Sequence, residues 1–454
     1  MFGPPQLPYR LLPVIAALAT ALVIGCGTDP LEEPQRALTT DVSAIRKVDN
    51  GPIRTIDRYV HHVSTVDANY GKHVKLFVRE KVRRDLRVDG DVEGDDDVER
   101  SGDDDVERSG GRKERLPVVL MIAGSTTPAV AVYDVPVKDY SWMSYLAEAG
   151  YDVFAMDLTG YGSSPRPAMD DPCNASLAQQ EALLKPPLTH TCLPSYPFKM
   201  AIQSDWDEMD TVVDYLRKTR GVDKVSLVGW SRGGPRIGGY AARHGEKVEK
   251  LILYSPAAYD PFRTSDEPPR NPKTGRLIPE LGVLMQVQSI AGFHANWDSN
   301  WLPSIPKECE PAFEPDIRDD QRGYSIIGST SLASDPIGST WGKPGSGVWR
   351  APNQNTLWGW NATDAGKITA PTLIIRGLRD VQAPEAPQRL LFADLKAAQK
   401  VFVRVACAGH QLLFERQHMI LLRASKEWLR DGRFAGRDQG SCFVNANGNV
   451  DCDI

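Results

Sequence analysis

The sequence predicts an α/β protein: a mostly parallel central sheet flanked by helices on both faces, with a lid inserted between late strands. Three observations predict it. From Leu116 onward, short apolar runs ending at a glycine or a turn alternate with helical stretches, the pattern of a sheet covered on both sides. The runs are nearly continuous in apolar residues, as expected of strands buried on two faces. Between about 259 and 368 the alternation stops in a stretch rich in Pro, Gly and Trp and then resumes, so that stretch is an insertion.

Taken in order, Arg10 is followed by LLPVIAALATALVIG (11–25), which has the length of a secretory h-region and is short for a membrane span. The run ends in Val23-Ile24-Gly25-Cys26, which resembles the lipobox of bacterial lipoproteins. That resemblance implies a signal peptide over 1–25, lipidation of Cys26, a polar tether over 26–50, and a membrane-anchored protein of the bacterial cell envelope. Residues 56–67 and 72–79, rich in β-branched and aromatic side chains around Asn69-Tyr70-Gly71, read as a hairpin.

An acidic loop (83–115) follows. Its residues 89–109 hold eleven Asp or Glu against Arg100 and Arg108, and GDDDVERS occurs twice in tandem, at 94–101 and 102–109. The net charge of the chain is −6, so this one segment, at −9, leaves the remainder at +3. It is a solvated charge run, and nothing in the balance supplies the basic face that nucleic acid needs. Asp89-x-Asp91-x-Glu93-Gly94 resembles the opening of an EF-hand loop, but the twelfth position is Arg100 where a bidentate Glu is required, so no calcium site is expected.

Beyond it, LPVVLMIAG (116–124), YDVFAMDL (151–158), KVSLVGW (224–230), LILYSPA (251–257), TLIIRGL (372–378) and KVFVRVA (400–406) are strands. Helices are expected over 141–150, 199–219 and about 412–430. The core thus comprises 51–258 and 369–435, the lid 259–368, and a C-terminal tail 436–454. Six of the ten tryptophans fall in the lid (Trp297, Trp301, Trp341, Trp349, Trp358, Trp360), either lining a binding cleft or filling the lid's own core.

Export makes disulfides the default for the six cysteines other than Cys26. Closeness in sequence favours Cys173–Cys192 and Cys442–Cys452, leaving Cys309 with Cys407. No C-x-x-C pair is present, and no structural zinc or other metal is expected.

The chemistry is carried by Gly229-Trp230-Ser231-Arg232-Gly233, a G-x-S-x-G placed after a buried strand and before the helix opening at Gly234-Pro235. A Ser on so tight a strand-to-helix turn exposes its Oγ above the sheet edge. It needs a general base held by an acid. His410 follows KVFVRVA and Asp380 follows TLIIRGL; Asp260, after LILYSPAAY, is the competing acid but lies further from its strand.

With MIAGST (121–126), YDVFAMDLTGYGSS (151–164), VGWSRGG (228–234), PTLIIRGLRD (371–380) and AGHQ (408–411) in this order, the chain from about 56 to 430 resembles the α/β-hydrolase superfamily. The resemblance implies Ser231 as nucleophile, His410 as base, Asp380 as acid, and an oxyanion hole from the backbone N–H groups of Arg232 and Ser125. It also implies a small-molecule ester substrate and no cofactor. The chain departs from the family in carrying Ala123-Gly124 where many members have His-Gly, which leaves the anchoring of that loop open. The same residues admit an N-terminal peptidase using lid acids (Glu308, Glu310, Glu314, Asp316), an acyltransferase, or a surface-tethered binding protein with an idle triad.

Overall fold

The computed structural model describes residues 44–86, 115–184, 186–264, 269–301, 304–312, 321–342, 346–355 and 359–453. The signal-peptide and Cys26 expectations, and those on the acidic repeat, lie outside them. An 11-stranded sheet runs through the core. Its strands are β1 (Ala44–Asn50), β2 (Ile53–Val63), β3 (His73–Arg83), β4 (Val118–Ile122), β5 (Asp152–Met156), β6 (Val225–Trp230), β7 (Val248–Tyr254), β8 (Thr372–Gly377), β9 (Lys400–Val405), β10 (Gln439–Val444) and β11 (Val450–Asp453). Their spatial order is β1-β2-β3-β5-β4-β6-β7-β8-β9-β10-β11. From β5 to β10 neighbours pair in parallel, while the β1–β2–β3–β5 side and the β10–β11 edge are antiparallel.

The parallel strands are the apolar runs of the sequence, and β4, β5, β6 and β8 are buried at every position because helices cover both faces. Helix α1 (Ile202–Arg220) ends at Gly221 in the left-handed conformation, with Arg217, Lys218 and Arg220 in its last turn to complement the helix dipole. Helix α2 (Gly233–Arg243) follows β6 directly.

Two boundaries differ from expectation. Residues 436–454, expected as a tail, carry β10 and β11, which extend the sheet; Cys442 and Cys452 are cross-strand partners and are bridged. The tether expectation ends early, since 44–50 pairs with β2 as an edge strand. Neither segment has the apolar run that marks a central strand: β1 and β11 are the outermost strands, and β10, beside that edge, buries only part of its side chains.

The insertion holds an antiparallel pair (Met285–Gln288 with Trp349–Pro352), helix α3 (Ile290–Asp298) and helix α4 (Gln321–Ala333). Of its six tryptophans Trp358 lies outside the described residues; the other five are buried, which is the packing role rather than the lining of an open cleft.

Candidate active site

Ser231 sits between β6 and α2 at φ +54, the left-handed region that costs a non-glycine residue about 1–3 kcal/mol. The strain is held from both sides: the Ser231 N–H donates to the Tyr254 carbonyl at 3.0 Å, and its own carbonyl accepts from Gly234 and Ala257, each at 2.9 Å. Strand and helix approach closely enough that a Cβ on Gly229 would lie 2.7 Å from the Gly233 carbonyl oxygen, and one on Gly233 2.6 Å from that of Ile122. Only glycine fits at either position.

His410 lies on the loop after β9, buried, and its Nδ1 is 2.9 Å from Asp380 Oδ2. The carboxylate accepts, so Nδ1 donates and Nε2 is left as the basic nitrogen. Asp380 is fixed in turn, its Oδ1 accepting from the backbone N–H of Gln382 (3.0 Å) and Ala383 (2.8 Å). Asp260 instead accepts from Phe262 N–H at 3.0 Å, the contact of a turn residue.

The elbow and the His410 loop meet through aromatics. The Trp230 indole N–H and the Tyr254 hydroxyl both donate to the His410 carbonyl, at 3.0 and 2.6 Å, and the Trp230 ring lies 5.4 Å from the imidazole. Among the described residues no hydrogen bond joins Ser231 Oγ to His410; Trp230 and Tyr254 link the two loops. Candidate catalytic hydrogen bonds are commonly long before substrate arrives.

The loop after β4 lies against the elbow. A Cβ on Gly124 would lie 3.0 Å from Ser231 Cβ and 3.6 Å from its Oγ, so this loop abuts the serine and must be small there. Ser125 opens a tight turn, its carbonyl accepting from Thr127 N–H and from the Thr126 hydroxyl, with Thr126 at φ +69. Arg232, the residue after Ser231, is the N-cap of α2 with φ −67 and ψ −8.

Sequence reasoning left the anchoring of this loop open, and the anchor is Arg236. Its buried guanidinium donates to the carbonyls of Ala123 (2.7 Å) and Gly124 (2.9 Å), to Asp205 (2.6 Å), to the Tyr161 hydroxyl (2.9 Å) and to Gln354 (3.1 Å). From the insertion, the Trp349 indole N–H donates to the Thr126 carbonyl at 2.8 Å.

The insertion also grips the His410 loop. Buried Glu415 accepts from the indoles of Trp297 (3.0 Å) and Trp301 (3.1 Å) and from Gly409 N–H (2.7 Å), and burial pushes its pKa up to about 7. Asn300 bonds Gln411 and takes the backbone N–H groups of Val381 and His410 on its carbonyl oxygen. A Cys309–Cys407 disulfide makes the link covalent. Cys173 and Cys192 are bridged as well. No sequence signal marks Arg236, Glu415 or Asn300, whose partners lie up to 118 residues away.

Of the lid acids considered for a peptidase, Glu308 is exposed, while the Glu310 side chain, Glu314 and Asp316 lie outside the described residues. No cluster of metal-ligating side chains occurs among the described residues. A cavity of about 210 Å³ lined by Tyr70, Tyr196, Lys199, Trp206, Arg243 and Arg276, among others, includes none of the site residues.

A family model described as alpha/beta hydrolase fold matches residues 117–417. No curated protein matches the chain. Among solved structures the chain is similar to a serine hydrolase from the polyaromatic hydrocarbon-degrading bacterium Cycloclasticus zankles (13% identity, 87% of this chain and 99% of that one, TM-score 0.43). It is also similar to a thermophilic esterase from Thermogutta terrifontis (16% identity, 82% and 98%, TM-score 0.42) and to a meta-cleavage product hydrolase from Pseudomonas fluorescens (16% identity, 82% and 98%, TM-score 0.45). At these identities and scores the assignment rests on the family match, which spans well over half of the chain and covers the parallel sheet from β4 through β9: the chain belongs to the α/β-hydrolase fold family and is a hydrolase.

Proposed function

We propose that the chain is a serine hydrolase of carboxylic esters, with Ser231 as nucleophile, His410 as general base and Asp380 as the acid that orients it. The observation that carries the reading is the 2.9 Å Nδ1–Oδ2 contact between buried His410 and Asp380, bound by aromatic hydrogen bonds to an elbow that holds Ser231 at φ +54. In this reading His410 Nε2 takes the Ser231 proton as Oγ attacks the acyl carbonyl. The backbone N–H groups of Arg232 and Ser125 receive the oxyanion, where one such donor is worth about 10²–10³ in rate. His410 then protonates the leaving alcohol, and water releases the acyl group by the same roles reversed. The cycle balances with water alone.

The test is turnover of a short-acyl p-nitrophenyl ester beside an aminoacyl arylamide. Ester turnover that falls by at least about 10³-fold in Ser231→Ala supports the reading. Preference for the arylamide moves the chain to an N-terminal peptidase, transfer of the acyl group to an added alcohol makes it an acyltransferase, and turnover of neither leaves a binding protein.

The lipobox-like run supports a second part of the proposal, that the protein is exported and anchored to the envelope membrane through Cys26. Cys26→Ser is expected to leave the membrane fraction, and equal partitioning with the unmodified chain would refute the anchor.

A further inference from the structure

Arg232, the residue after Ser231, carries a charged side chain as well as its backbone N–H. Its guanidinium is half-buried, and its hydrogen bond is a long one, Nη1 donating to the Gln354 carbonyl at 3.4 Å. No carboxylate pairs with it among the described residues. Among charged groups the Arg236 guanidinium repels it, and the Tyr161 phenol is its other ionisable neighbour. Asp205, the nearby acid, is engaged by Arg236 at 2.6 Å.

The fully buried arginines of this chain are matched. Arg236 has Asp205, Arg220 has Asp152, Arg350 has Asp335, and Arg376 has Glu385. Half-buried Arg232 has no such carboxylate, as half-buried Arg379 and Arg404 also have none, the first held by carbonyls and the second over a ring; what sets Arg232 apart is its place next to Ser231 and the repulsion from Arg236. Partial burial of an uncompensated cation costs free energy, and repulsion by Arg236 adds to the cost. Burial is the largest cause that pulls its pKa below the usual arginine value. The first turn of α2 adds a further positive potential at the same place. These terms all oppose the free protein, and an anion bound here offsets them by its attraction to both guanidiniums. The position is one residue past Ser231, at the seam between the elbow and the insertion strand that carries Gln354.

We infer that the Arg232 guanidinium is a specificity determinant that receives a carboxylate on the substrate, so that the esters hydrolysed here are acidic ones, such as hemiesters of short dicarboxylic acids. The inference rests on the serine-esterase reading for its chemistry but not for its binding. The fork of N–H donors fits a carboxylate in two parallel bonds, and a neutral acyl chain leaves it unmatched.

The experiment has two arms. In the first, kcat/KM is measured for p-nitrophenyl hemiglutarate and p-nitrophenyl butyrate with the native chain, Arg232→Gln and Arg232→Lys. The native enzyme is expected to favour the hemiglutarate at least tenfold, Arg232→Gln to lose that preference chiefly through KM, and Arg232→Lys to retain part of it. The ratio is internal to each variant, so general loss of active protein cancels. High salt lowers the native ratio by screening. In the second arm, the affinities of monoethyl and diethyl glutarate are compared by titration calorimetry on Ser231→Ala, with and without Arg232→Gln. Selective binding of the monoester that Arg232→Gln removes supports the inference even if no ester is turned over, in which case the esterase reading alone falls. Equal preference in native and Arg232→Gln chains, or tighter handling of the neutral ester, overturns the inference while any ester turnover leaves the reading standing. Absence of both turnover and selective binding refutes both.

Discussion

At Ser231 the chain accepts a left-handed backbone in a residue with a side chain, and the sequence shows why it can: Gly229 and Gly233 remove the Cβ atoms that would otherwise strike the Gly233 and Ile122 carbonyls. The same logic separates the two candidate acids. Asp380 reaches His410 while Asp260 caps its own turn, so Asp380→Asn is expected to lower kcat by about 10⁴ through the wrong imidazole tautomer, with Asp260→Asn near native; steady-state kinetics on both variants decide it. The candidate residues Ser231, Asp380 and His410 stand out in the sequence because each lies within a few residues of the end of an apolar strand. Arg236 was not legible, since nothing local tells an arginine on the first turn of a helix that it will donate to a loop 112 residues earlier. A second buried acid is open to test by pH. Glu208, fully buried on α1 and accepting from Thr159 N–H at 2.8 Å, has its pKa pushed up to about 8 by burial and by Asp205. The unfolded value is about 4.3, so between there and 8 the folded chain holds a proton that the unfolded chain has lost. Its contribution to stability is therefore full below the unfolded value and lost as pH rises toward 8. Melting temperature should fall across that window, and less steeply in Glu208→Gln.

The elements that carry the site are two loops and the insertion that clamps them. Arg236 takes over the anchoring of the loop after β4, which lacks the His-Gly of many relatives. Arg236→Gln with Asp205→Asn, paired so that no charge is left buried alone, is expected to lower kcat by about 10²–10³ with a smaller effect on KM, as loss of a preorganised oxyanion donor would. Unchanged kcat would mean the loop holds its shape without the clamp. The Cys309–Cys407 bridge spans a sequence separation of 98, and closing a loop of that size contributes about 4–5 kcal/mol in the chain-entropy account. Thermal denaturation of the Cys309→Ser, Cys407→Ser double variant should show a correspondingly lower melting temperature. That coupling of insertion to base loop was expected from cysteine order alone, whereas the grip of Glu415 on two indoles was not, because it depends on where the insertion folds back. Strands β10 and β11 were missed for a different reason. QGSCFV buries only some of its side chains, so it lacks the run that distinguishes a central strand.

At the scale of the molecule, one sheet carries every candidate site residue at the same end of its parallel strands, the arrangement that lets an α/β fold gather loops from separate strands into one place. The described residues of the insertion belong with that core rather than forming a body of their own, since they and the sheet make one compact unit. The acidic repeat lies outside the described residues; its charge and its duplication read as a solvated expansion, and deletion of 89–109 is expected to leave turnover of a neutral ester near native. A large loss, reversed by calcium, would contradict that. The central claim, that Ser231 is the nucleophile, has a more direct test than any rate. The folded chain is treated with a fluorophosphonate, which traps an activated serine covalently, and the adduct is located by peptide mass spectrometry. The account predicts one adduct per chain, on the peptide bearing Ser231, with labelling abolished in Ser231→Ala and strongly slowed in His410→Gln. An adduct on another residue, or labelling of Ser231→Ala at the native rate, would contradict it.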